Sequence, residues 1–136
     1  MKNLILIVLG LIFSSSLYSQ SKSQIISKGI TSIITYEKSF NKGNEIKYIV
    51  EEISYDSEGR IIELKELSRK GDIKLWEKYK FDSNGNLIEE LIMDIEGKVD
   101  KKMITHYANN LRTSKDYYDS KGRLYKSKTY EYKLSK

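Results

Sequence analysis

The chain offers little with which to do covalent chemistry, and most of what it offers is aromatic or basic. It has no cysteine and a single histidine, His106. Without a thiol, nucleophilic catalysis would need a serine, a histidine to take its proton and an acid to orient the histidine. There is no Gly-x-Ser-x-Gly elbow, and no partner for His106 is visible from spacing, so a surface or sheet-edge role is expected for it. Ser39-Phe40-Asn41-Lys42 has Ser-x-x-Lys spacing without the companion motifs of the penicillin-recognising enzymes. Among the carboxylates, Glu51/Glu52 and Glu89/Glu90 are neighbours on strands and point to opposite faces. Glu63 and Glu77 could converge as an acid/base pair across two strands. Asp56, Asp82, Asp94 and Asp119 recur one to a turn, far short of the roughly six to eight oxygens calcium takes. Their expected role is to cap turns. The expectation is a non-enzymatic protein with no catalytic, cofactor or metal site.

Binding chemistry is better represented. Near the C-terminus Tyr117, Tyr118, Arg123, Tyr125, Lys126, Lys128, Tyr130 and Tyr132 set aromatic faces among cations. That mixture suits a glycan, a lipid headgroup or a polyanion. A terminal edge strand guarded by lysines against unwanted pairing has the same composition. Trp76, the one tryptophan, fits either a packed position or an exposed contact. The candidate binding surface is therefore Trp76, Tyr117, Arg123, Tyr125, Lys126, Lys128, Tyr130 and Tyr132.

Charge follows the same division. Residues 20–97 hold 12 basic and 15 acidic side chains, whereas 98–136 hold 11 basic and 4 acidic. A positive C-terminal third favours an anionic partner or forms a solvated sheet face.

The elements that must position these residues are announced by their turns. Tyr55-Asp56-Ser57-Glu58-Gly59-Arg60-Ile61 returns as Phe81-Asp82-Ser83-Asn84-Gly85-Asn86-Leu87 and as Tyr118-Asp119-Ser120-Lys121-Gly122-Arg123-Leu124. Weaker copies begin at Leu67, Met93 and Tyr107. Polar turns spaced about a dozen residues apart, with a side chain that can accept backbone N–H bonds and a glycine for positive φ, indicate short antiparallel strands. The expected strands are 30–37, 46–55, 61–67, 73–81, 87–93, 99–107, 111–118 and 124–132. The fold class is all-β: an antiparallel up-and-down meander of about eight strands, forming a curled sheet or a small barrel. Pairing Leu67 with Ile73 and Phe81 with Leu87 places Leu64, Trp76 and Ile92 in one row. It also places Lys78, Glu90 and Lys102 in a second row and Glu66 opposite Lys74. The odd-numbered residues from Ile53 to Tyr107 then share the core face, with Glu51, Glu63, Glu77, Glu89 and Lys101 among them.

At Tyr-Asp-x-x-Gly-Arg-Leu the chain resembles the Rhs/YD-repeat family, best at 55–61 and 118–124. The segment Trp76-Glu77-Lys78-Tyr79-Lys80-Phe81-Asp82-Ser83-Asn84-Gly85-Asn86-Leu87 resembles the MORN-like repeats of small bacterial antitoxin-type proteins, with Leu75 where a glycine normally precedes the tryptophan. Both resemblances imply a β-hairpin scaffold for binding, and neither brings a catalytic residue.

Residues 1–19 have the layout of a cleaved signal peptide: Lys2, an apolar run from Leu4 to Phe13 broken by Gly10, then small polar residues to Ser19. A run of ten residues spans about half of a bilayer core, so no membrane span is expected after cleavage. The expected organisation is a signal peptide at 1–19, an N-terminal segment at 20–29 and a β-hairpin domain at 30–136. The expected address is the periplasm or the extracellular space. The expected function is a binding or interaction module of the bacterial envelope, contacting a protein or an anionic polymer or glycan through a sheet face. No nucleic-acid partner is expected, and homo-oligomers through sheet edges are. The competing expectation is a small-ligand carrier whose eight strands close into an up-and-down barrel.

Overall fold

The computed structural model describes residues 21–135; the signal peptide expected at 1–19 lies outside them. A short helix, α1 (Lys22–Ser27), comes first, followed by β1 (Ser32–Asn41), β2 (Asn44–Tyr55), β3 (Ile61–Leu67) and β4 (Ile73–Phe81). Then come β5 (Leu87–Met93), β6 (Val99–Ala108), β7 (Leu111–Tyr118) and β8 (Leu124–Thr129). The eight strands form one antiparallel sheet in sequence order. β1 and β8 are its two edges, so the sheet is open. The closed barrel that the carrier reading requires is not formed. No helix among the described residues is long and apolar enough to cross a membrane.

Local chemistry explains each connection. Lys42-Gly43 and Asn109-Asn110 are two-residue turns in which both residues have positive φ. Such turns match the right-handed twist of the strands they join, and asparagine and glycine tolerate that conformation best. β1 and β2 accordingly extend right up to Asn41 and Asn44, further than the expected 30–37 and 46–55. Elsewhere the Asp-x-x-Gly turn repeats one bonding scheme. At Asp82, Oδ1 accepts the N–H groups of Asn84 and Asn86, each at 2.9 Å, while Oδ2 accepts Asn86 Nδ2 at 2.9 Å. Asp56 and Asp119 do the same, with an arginine in place of the asparagine: Arg60 Nε at 2.7 Å and Arg123 Nε at 2.8 Å. Ser68 substitutes its hydroxyl at the 68–72 turn, accepting from Lys70 and Asp72.

These bonds stabilise the ionised carboxylates. The Asn86 side-chain amide, then its backbone N–H, hold Asp82 below the usual carboxylate range. The Arg123 backbone N–H and then its guanidinium do so for Asp119. At Asp56 burial pulls upward, but the Arg60 and Glu58 donors together outweigh it. Because these folded pKa values lie below the unfolded value of about 3.9, the stabilisation is complete above that pH and lost as pH falls through the folded values. The urea midpoint should therefore hold steady down to about pH 5 and drop below about pH 4. Asp119→Asn keeps an oxygen for the two backbone donors but no charge, and should reduce the drop. An unchanged midpoint at low pH in the parent protein would contradict this account.

The register carries the main departure from expectation. Leu67 does pair with Ile73 and Phe81 with Leu87. Directly beyond the pair beside the turn, or beyond a second pair in β6–β7, every hairpin from β2–β3 to β7–β8 steps its register by one. The skipped residues are Ile62, Lys74, Ile88, Asp100, Thr113 and Tyr125. An extra residue of this kind is a β-bulge, and it inverts which side chains face which way. Leu64 consequently pairs with Glu77, and Trp76 with Lys65 on the opposite face. The expected rows Leu64/Trp76/Ile92 and Lys78/Glu90/Lys102 do not form, and Glu66 pairs with Leu75 rather than Lys74. The single odd-numbered face is replaced by one that alternates parity from strand to strand, except between β6 and β7, which both present odd-numbered residues. Glu63 and Glu77 fall on opposite faces and do not converge.

The true rows give the sheet its two sides. Ile53, Leu64, Glu77, Ile92 and Lys101 run across one face, with Tyr79, Glu90, Met103, Tyr117 and Lys126 beside them. We call this the Leu64 face. Glu63, Lys78, Leu91, Lys102 and Tyr118 cross the other, the Trp76 face. Among the described residues the buried apolar side chains are Ile25, Ile53 and Leu64. Ile53 and Leu64 share the Leu64 face with the buried Glu51 and Thr105. Ile25 belongs to α1, whose N-terminus is closed by a capping box between Ser21 and Gln24. The helix lies against the 56–60 turn, where a side chain on Gly59 would meet Ile26 and Lys22. No second layer of secondary structure covers the sheet among the described residues. Cross-strand pairs, each contributing about 0.2–1 kcal/mol, therefore carry much of its stability.

Candidate binding surface

Strands β7 and β8, the last hairpin, bring half of the candidate residues together. Tyr117 pairs with Lys126, and Lys115 with Lys128, all on the Leu64 face. Three ammonium groups ring Tyr117: Lys126 at 5.1 Å from the ring centroid, Lys128 at 5.6 Å and Lys115 at 5.7 Å. Tyr125 approaches the same ring, tilted by 57° with centroids 6.3 Å apart. The aromatic quadrupole attracts these cations, by about 0.5–1 kcal/mol at exposed sites. Lys115 also makes an ion pair with Glu90 two strands away. Lys126 and Lys128 stand exposed on the edge strand and, among the described residues, make no ion pair with a carboxylate.

The remaining candidates lie elsewhere. Arg123 belongs to the turn, its Nε and Nη2 bound to Asp119 at 2.8 and 2.7 Å. Tyr130 stacks beneath Arg112 at 5.2 Å, and its N–H donates to Thr113 O. Tyr132 donates its hydroxyl to Arg112 O at 2.9 Å. Both tyrosines thus tie the segment that follows β8 to the start of β7. Trp76 is on the opposite face, as a packed residue. Its indole N–H donates to Glu63 at 2.6 Å, Lys65 and Lys78 flank the ring at 4.4 and 5.3 Å, and its far edge touches the Gly97 turn. The structure therefore divides the expected surface, and Tyr117, Tyr125, Lys126 and Lys128 form its contiguous part.

One cluster escaped the sequence reading. His106 Nε2 lies 3.0 Å from Asp116 Oδ2, and Ser127 Oγ donates to Asp116 Oδ1 at 2.5 Å. His106 does have a partner, across the two-residue turn at 109–110. The Ser127 hydroxyl, then against burial the His106 contact, hold the Asp116 carboxyl below its usual range. The order of contacts matters chemically. An activated serine gives its proton to an imidazole nitrogen. Here the hydroxyl is committed to the carboxylate, an arrangement that ties β6, β7 and β8 together and generates no nucleophile. A hollow of about 110 Å³ among Glu52, Ser54, Glu63 and Lys65 is polar and well below the several hundred Å³ of a small-molecule site.

Charge is segregated along the Leu64 face. From Glu51 to the end of β5 that face carries Glu51, Glu66, Glu77 and Glu90 without a cation. From β6 to β8 it carries Lys101, Arg112, Lys115, Lys126 and Lys128 without a carboxylate. The Glu90–Lys115 ion pair sits at the boundary.

Together these features define an open, single-layered β-meander with a basic, aromatic edge hairpin. No known protein family and no curated protein matches the chain.

Proposed function

We propose that the chain is an exported, non-enzymatic interaction module of the bacterial envelope or extracellular space. It contacts a protein or an anionic polymer through the β7–β8 end of the Leu64 face. The observation that carries this reading is the pair Lys126 and Lys128, exposed beside Tyr117 on an edge strand. Two neighbouring ammonium groups beside an aromatic ring attract carboxylates, phosphates and sulfates, and exposure leaves them accessible to a polymer. The export step rests on the signal-peptide layout of residues 1–19.

The test is retention of the mature chain on an immobilised acidic polysaccharide. Lys126→Glu/Lys128→Glu should elute at clearly lower salt than the parent. Lys42→Glu/Lys70→Glu, with the same net charge but altered at distant exposed turns, should shift far less. Equal shifts for the two double variants would mean that net charge alone acts and that the surface is wrongly placed.

A further inference from the structure

The basic hairpin offers a ligand more than charge. We infer that it takes an acidic glycan, whose sugar rings lie against Tyr125 while its carboxylate or sulfate groups meet Lys126 and Lys128. This rests on the preceding reading of that surface as a contact site, and names the class of polymer bound there.

Two observations carry it. The first is the bulge in β7–β8. Lys126 pairs with Tyr117 and Leu124 with Tyr118, which leaves Tyr125 over. In a regular strand Tyr125 and Lys126 would point to opposite faces. A bulge re-aims a side chain, and here both neighbours reach Tyr117. The Tyr125 ring lies with its centroid 6.3 Å away, and the Lys126 ammonium 5.1 Å away. Tyr125 is nevertheless 56% exposed. One aromatic surface is thus held beside a cation and left open to solvent.

The second is where the charges stand. Lys126 and Lys128 leave β8 on the same side, about 7 Å apart at the backbone. Lys128 sits directly opposite Lys115, a like charge that destabilises the pair. Glu90 balances Lys115, so two ammonium groups remain without a carboxylate partner among the described residues. Beyond them Tyr130 continues the pairing, its N–H donating to Thr113 O at 3.0 Å and its ring lying under Arg112 at 5.2 Å. The order along the edge is aromatic, cation, cation, aromatic. Because β8 is the last strand, a linear polymer lying along it meets no further strand.

Chemistry selects among polyanions. A polyphosphate or an acidic peptide would satisfy the ammonium groups and leave the exposed ring unused. A sugar unit bearing an acid uses both, since its C–H groups suit the negative face of an aromatic ring.

Dissociation constants of the mature chain at one fixed low salt decide it. Four polyanions matched in total charge are compared: polygalacturonate, dextran sulfate, inorganic polyphosphate and poly-glutamate. At least one of the two glycans should bind about fivefold more tightly than either polymer without sugar rings. A preference for polygalacturonate alone makes the acid a carboxylate, and one for dextran sulfate alone makes it a sulfate ester; each supports the inference. Tyr125→Ala should lose the preference and Tyr125→Phe, which keeps the ring, should retain it, with circular dichroism confirming that both are folded. The parent's own preference needs no variant. Polyphosphate or poly-glutamate binding as tightly as both glycans overturns the inference, as does a preference that survives Tyr125→Ala. If binding in those cases still requires Lys126 and Lys128, the sugar is removed and the contact surface stands. If no polymer binds, or binding is indifferent to Lys126→Glu/Lys128→Glu, both readings fail.

Discussion

Leu64→Ala should lower the unfolding free energy by about 2–4 kcal/mol, the range for emptying a buried leucine site. Leu64 is 7% exposed and sits between Ile53 and Glu77 on the inward side of its row. In a two-layered domain such a loss would be one among many. Here Ile53 and Leu64 are the sheet's buried apolar side chains among the described residues, and a whole domain is typically stable by only about 5–15 kcal/mol. Urea unfolding followed by circular dichroism measures the change. Ile62→Ala is the matched control: Ile62, two residues earlier on β3, is the skipped residue of the bulge and is 37% exposed. Its cost should be well under half that of Leu64→Ala. Equal costs would show that the bulge does not direct these two side chains as described.

The second large effect is expected at Gly97. Its φ is +80°, and a methyl group there would lie 3.3 Å from the edge of the Trp76 ring. The left-handed conformation alone costs an ordinary residue about 1–2 kcal/mol. Gly122 has a similar φ of +74° and open space around it, so Gly122→Ala measures that term by itself. Gly97→Ala should cost the same plus the displacement of an indole held by Glu63 at 2.6 Å. The chain's one tryptophan makes the displacement observable, since emission from Trp76 should change in Gly97→Ala and not in Gly122→Ala. Equal stability and unchanged emission in both variants would remove the ring–turn contact from the account.

The contrast between Leu64 and Ile62 also shows where the sequence stops being informative. Strands 61–67, 73–81, 87–93 and 111–118 coincide with the expected ones because their ends are written in turn chemistry, which is local. The pair beside each turn is equally local, and Leu67–Ile73 and Phe81–Leu87 follow from it. A bulge leaves no comparable mark, since alternation of apolar and polar residues reads the same on either side of it. The one available hint was the apolar doublets just after two turns, Ile61-Ile62 and Leu87-Ile88, where both residues meet the sheet from one side. Missing that step misplaced Trp76 by a face and paired Glu63 with Glu77. It equally hid the segregation of charge, because glutamates and lysines of mixed parity sort by sign only in the true register. His106 and Asp116 were out of reach for the same reason, being ten residues apart across a hairpin that contains a bulge. The basic, aromatic hairpin was legible as composition, which needs no register at all.

The bulges also make chain length a free variable. A single stepped hairpin turns the faces over in parity, and two in succession turn them back. Tyr55 and Phe81, 26 residues apart, therefore occupy equivalent places on the Leu64 face. A second copy of residues 56–81 spliced in after Phe81 would add two strands and leave every later side chain pointing as it does now. A closed barrel cannot accept strands without changing its girth, whereas this open sheet can widen by whole hairpins and carry its edge outward intact.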